Sequence, residues 1–62
     1  MKTFLEYYES MSYEDLNKLA ESAGTSSQYL YQLATGRRRP GADIIERLMR
    51  ADKKITFEMM RS

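Results

Sequence analysis

Two glycines, Gly24 and Gly36, each close a short apolar stripe, and together they constrain this chain more than any other feature. Leu16, Leu19, Ala20 and Ala23 fall at i, i+3, i+4 and i+7, which is one buried face of a helix. Gly24 follows where a helix end commonly needs a left-handed residue, a conformation that glycine adopts cheaply. Thr25, Ser26 and Ser27 then offer successive N-caps, so a second helix is predicted over residues 27–34. On a helical wheel, Leu30, Leu33 and Ala34 form its inner face, and Gly36 stops it. The small side chains of Ala20 and Ala23 allow the two helices to approach closely.

Two helices joined by a glycine-bearing turn form the helix-turn-helix unit, whose second helix can enter the major groove of DNA. Here Gln28, Gln32 and Thr35 gather on the outer side of the second helix, with Tyr31 on the flank. Gln can bond an adenine edge with two hydrogen bonds, and Thr or Tyr can add apolar or single hydrogen-bond contacts. On composition alone the same row also reads as an ordinary solvated face. The next segment shifts the balance. Arg37, Arg38 and Arg39 follow Gly36 at once, and no acid lies between Glu21 and Asp43. Guanidinium forks match phosphate geometry, and a basic run beside a reading helix is where backbone clamping is useful. An arginine triplet by itself is equally a solvated loop or a nonspecific patch.

At these positions the chain resembles the Cro/CI (lambda repressor-like) helix-turn-helix regulators, close to short Cro-like proteins of phages and prophages. Ala20, Gly24, Leu30 and Leu33 match the family's small, glycine and apolar positions. Gly36, the arginines and Pro40 match its common ending, and Asp43-Ile44-Ile45-Glu46-Arg47-Leu48 resembles its fourth helix. The likeness spans roughly residues 12–49, with a weaker echo at 55–61. It implies base-reading positions at Ser27, Gln28, Tyr31 and Gln32. It implies backbone contacts at Ser26 and Thr35 and through Arg37, Arg38 and Arg39 of the basic loop, 36–41. Many relatives open the first motif helix with a Gln that holds a phosphate. Leu16 stands there in this chain, leaving Ser12 or Tyr13 to take that part.

Sixty-two residues allow one small domain with a limited core, here 1–62 with the motif at about 16–35. Cysteine and histidine are both absent, so disulfides and thiol chemistry are excluded and a zinc site would have only carboxylates. No metal, cofactor or small-molecule substrate is expected. No apolar run approaches the roughly 20 residues that cross a bilayer, and no secretory pattern opens the chain. The expected location is the cytoplasm, and the resemblance implies a bacterial one. Net charge is only +1, but its distribution is uneven. Residues 1–24 hold two bases against five acids, or −3, whereas residues 25–62 hold eight bases against four acids, or +4. Such polarity would orient the domain on a polyanion.

The flanks read as scaffold. Thr3-x-x-Glu6 is a capping box that opens a first helix near Phe4, with Phe4, Leu5, Tyr8 and Met11 directed inward and Tyr7 half-exposed. Ser12-x-x-Asp15 resembles a second capping box. A helix over 42–51 presents Ile45, Leu48 and Met49 inward, Ile44 at the edge, and Arg47 and Arg50 outward. Residues 55–62 favour a last short helix that Thr56 caps and that buries Phe57 and Met60, over an edge strand. Phe57, Met59 and Met60 are also the candidate dimer contact, since Met adapts to irregular surfaces; the alternative is that Phe57 closes the core.

The expected architecture is all-α, with four to five short helices. The expected function is sequence-specific binding of a double-stranded DNA operator as a repressor. A symmetric homodimer is expected on half-sites about 34 Å apart. A protein-interaction module, or an antitoxin-type regulator, is the alternative on the same fold, since Tyr29 and Tyr31 also suit a protein surface. No arrangement of side chains suggests an enzyme.

Overall fold

The structure, a computed structural model, describes residues 3–61. Among them are five helices and no strand: α1 (Phe4–Ser10), α2 (Tyr13–Ser22), α3 (Ser27–Ala34), α4 (Ala42–Ala51) and α5 (Phe57–Arg61). The all-α class is therefore as expected. Ser62, the end of the 55–62 segment, lies outside the described residues, as do Met1 and Lys2.

Local hydrogen bonding explains where the helices start. Thr3 Oγ1 accepts from the Glu6 N–H at 3.2 Å, and Glu6 Oε1 accepts from the Thr3 N–H at 3.1 Å, which completes the capping box of α1. Ser12 and Ser26 each accept from the N–H three residues on at 3.1 Å, opening α2 and α3. Thr56 does the same for Met59, so the chain end is a helical turn and not a strand. Gly41 opens α4 without a side-chain cap, and Asp43 in the first turn complements the dipole instead.

The ends of α2 and α3 share one solution. Gly24 and Gly36 take positive φ, 71° and 81°. After α2, the Thr25 and Gly24 N–H groups donate to the Ala20 and Glu21 carbonyls. After α3, the Arg37 and Gly36 N–H groups donate to the Gln32 and Leu33 carbonyls. This pairing is the Schellman motif, which satisfies carbonyls that a helix end would otherwise leave without partners.

Packing follows the apolar stripes. α3 lies against α1 and α2, α2 against α4, and α4 against α5. Leu30 and Leu48 are fully buried at the centre, and Leu16, Leu19, Ala20, Ala23 and Leu33 surround them. Three inward assignments are corrected. Leu5, Met49 and Phe57 are 39%, 37% and 48% exposed. At the chain end Met60 is buried as expected, with Ile55 and Met59 buried in place of Phe57. A cap at Thr56 fixes the rotation of α5 and turns Phe57 outward.

α1 is tied to the turn after α4 through Asp52. Its Oδ2 accepts from the Tyr7 hydroxyl, and its Oδ1 accepts from the Lys54 N–H at 3.0 Å. Burial, followed by the hydrogen bond to Asp52 and the negative charges of Asp52 and Asp15, pushes the Tyr7 phenol up to about 12. The unfolded phenol ionises near 10. The stabilisation is therefore complete below about pH 10 and is lost as pH rises through about 12. Tyr7→Phe should be about 1 kcal/mol less stable than the parent near neutral pH, a value reduced for partial exposure. The difference should shrink above about pH 10, because the other tyrosines titrate in both proteins. Urea unfolding of the pair across this range checks it; a pH-independent difference would show that Tyr7 and Asp52 are not coupled.

Candidate nucleic-acid interface

α3 is held by its inner face. Leu30, Leu33 and Ala34 are buried, which leaves Gln28 and Tyr31 exposed and Ser27 and Gln32 half-buried on the other sides. Tyr31 is 45% exposed, and its ring packs on Tyr8 of α1 with centroids 6.1 Å apart at 57°. This tilted contact limits the rotamers of Tyr31 while leaving much of it accessible. Gln28 has no side-chain partner among the described residues and is open to solvent.

The loop after α3 is bent back onto the helix. The Gln32 carbonyl accepts from both the Arg37 N–H, at 2.9 Å, and the Arg38 N–H, at 3.2 Å. Arg38 Nε donates to Gln32 Oε1 at 2.7 Å, and its guanidinium lies over the Tyr29 ring at 5.6 Å from the centroid. Arg37, Arg38 and Arg39 are exposed, and among the described residues none of them pairs with a carboxylate. Three of the other bases behave differently. Arg47 pairs with Asp43 at 3.1 Å, Arg50 with Glu46 at 2.6 Å and Lys18 with Glu14 at 3.8 Å, each one helical turn apart. The arginine loop thus concentrates positive charge, without a carboxylate partner among the described residues, at the carboxyl end of α3.

Three expected contact residues are already engaged. Ser26 Oγ accepts from the Tyr29 N–H as the cap of α3, which leaves its hydroxyl proton free to donate. Thr35 Oγ1 donates its proton to the Tyr31 carbonyl at 2.9 Å, so it can meet a phosphate only by giving up that bond. Gln32 is engaged with Arg38, as above. At the start of α2, Ser12 serves as cap, and Tyr13 is 76% exposed.

The three candidate dimer-contact residues divide by burial. Met59 and Met60 are 6% and 4% exposed and belong to the core of the single chain. Phe57 remains at the surface, with the Arg61 guanidinium 5.7 Å from its ring centroid. Among the described residues, no group of three or more His, Cys, Asp or Glu could hold a metal ion. No described helix is long and apolar enough to cross a membrane.

Sequence reasoning missed the pairings Gln32–Arg38, Arg38–Tyr29, Tyr8–Tyr31 and Tyr7–Asp52. Each joins residues from different elements, or from a helix and the loop beyond its stop, where helical periodicity carries no signal. Comparison of the chain with protein-family models, with curated proteins and with solved structures found no match.

Proposed function

We propose that this protein is a sequence-specific double-stranded DNA-binding regulator of the lambda repressor-like helix-turn-helix type. It would act in the cytoplasm of a bacterial or phage-infected cell and repress by occluding an operator. α2 and α3 form the helix-turn-helix, and α3 enters the major groove. Gln28 and Tyr31, with Ser27 at the helix start, meet base edges there. Gln32 lies on the same side. Arg37, Arg38 and Arg39 hold the phosphate backbone, with Ser26 at the amino end of α3.

The observation that carries this reading is the adjacency of two features. An outward polar and aromatic helix face lies next to three arginines that lack carboxylate partners among the described residues. Phosphate contacts supply affinity and base contacts supply specificity, so a DNA-reading surface needs both side by side. One short helix reads few base pairs, so a homodimer on a two-fold operator is part of the proposal, with exposed Phe57 as a contact.

Selection from a pool of random duplexes at two salt concentrations tests it. The expected product is an inverted repeat with half-site centres about 34 Å apart. Salt-sensitive binding without enrichment would leave the arginine loop functional and deny α3 a reading role. No binding at low salt would favour a protein partner instead. Gln28→Ala should cost about 1–3 kcal/mol on the preferred operator and relax the preference at one or two base positions. An unchanged preference would remove Gln28 from the readout.

A further inference from the structure

We propose that Gln32 does not read bases but positions Arg38, and that Gln32, Tyr29 and Arg38 form a preformed grip for a backbone phosphate. The functional role of this grip rests on the DNA-binding reading above. Gln32 fixes Arg38 at both ends. Its main-chain carbonyl accepts the Arg38 N–H at 3.2 Å, and its side-chain Oε1 accepts Arg38 Nε–H at 2.7 Å. The second distance is in the range of charge-assisted bonds. A guanidinium has only donors, so the carboxamide must turn its oxygen toward Arg38 and its NH2 away. The Tyr29 ring, 5.6 Å from the guanidinium carbon, adds a cation–π contact.

This arrangement divides the work of α3. Two-point recognition of adenine needs a Gln oxygen to accept from the base amino group while the amide donates to the ring nitrogen. In Gln32 that oxygen already serves Arg38. The Nη1 and Nη2 groups of Arg38 make no hydrogen bond among the described residues, so the end of the fork is open to phosphate oxygens. Ordering a long side chain before binding removes part of the entropy cost of binding. Arg37 and Arg39 have no such side-chain partners among the described residues and contribute as exposed charges.

The experiment compares the full-length protein with Gln32→Ala, Gln32→Glu, Arg38→Ala and the Gln32→Ala/Arg38→Ala pair. Affinity for duplex DNA is measured at two salt concentrations, base preference is determined by selection, and the Arg38 Nε–H resonance is recorded without DNA. Gln32→Ala should weaken binding about two- to tenfold on every sequence, with base preference unchanged. It should also broaden or shift the Arg38 Nε–H signal. In the Arg38→Ala background the same substitution should have no further effect. Gln32→Glu should retain the Nε–H signal but lower the salt slope by about one, because the carboxylate offsets the charge that Arg38 offers to phosphate. A changed base preference in Gln32→Ala, or a loss that adds fully to that of Arg38→Ala, would overturn the proposal. If the parent protein binds no duplex, the DNA reading falls and takes the role of the grip with it. The Nε–H signal, read without DNA, separates that failure from absence of the grip itself.

Discussion

Leu30→Ala is expected to remove about 3 kcal/mol of stability, a third or more of the protein's total. Leu30 is fully buried on the inner face of α3, the helix that packs against both α1 and α2. Truncation there removes apolar contacts and leaves a cavity that three packed helices cannot easily close. At the usual stability per residue, a domain of 62 residues has only about 3–9 kcal/mol in total. No disulfide reinforces it, since the chain has no cysteine. Two controls define the effect. Leu30→Met preserves volume and should cost less than about 1.5 kcal/mol. Leu5→Ala, at an exposed apolar position, should change stability by no more than about 0.5 kcal/mol. Urea unfolding followed by circular dichroism reads all three. If the midpoint for Leu30→Ala matches that for Leu5→Ala, α3 does not share a core with α1 and α2.

The contrast between Leu30 and Leu5 also marks how much of the fold was legible. Caps and stops depend on one or two residues acting locally. Thr3 with Glu6, Ser12, Gly24, Ser26 and Gly36 therefore mark the helix ends without any tertiary contact. α3 and α4 begin and end at the predicted residues. Periodicity gives the direction of a buried stripe but not its width, which depends on how far the neighbouring helix extends. Leu5 and Met49 lie at the edges of stripes whose centres, Phe4 and Leu48, are buried. In α5 the helix is too short for a stripe to be read, and the cap at Thr56 decided that Met59 and Met60, not Phe57, face inward.

The candidate site divides in the same way. Which residues of α3 face outward follows from Leu30, Leu33 and Ala34 facing inward, so Gln28 and Tyr31 were identifiable from spacing. Their neighbours were not. Tyr8 reaches Tyr31 because α1 lies beside α3, and Arg38 reaches Gln32 and Tyr29 because the chain reverses at Gly36. The positive φ of that glycine was predictable, but the landing place of the side chain two residues later depends on the whole loop path. The hydroxyl of Thr35 bonds back to the Tyr31 carbonyl, a choice between solvent and backbone that residue type alone leaves open.

Replacing Arg37, Arg38 and Arg39 together by alanine should weaken binding to any duplex by about a thousandfold, from roughly tenfold for each of three phosphates no longer held. The logarithmic salt slope should fall by about 2.7, since each neutralised phosphate contributes about 0.9. Stability should change little, because all three side chains are exposed and none has a carboxylate partner among the described residues. The substitution also lowers net charge from +1 to −2, so a diffuse weakening of attraction must be separated from removal of the local grip. Arg47→Ala/Arg50→Ala/Lys53→Ala removes the same three charges elsewhere. Arg47 and Arg50 are paired with Asp43 and Glu46, so in that control the freed acids add their own repulsion to the long-range field. A loop that grips phosphates predicts the large slope change only for Arg37–Arg38–Arg39, with the control losing affinity mainly at low salt, where screening is weak. Equal slope changes in the two proteins would assign binding to net charge alone and leave the arginine loop no special role.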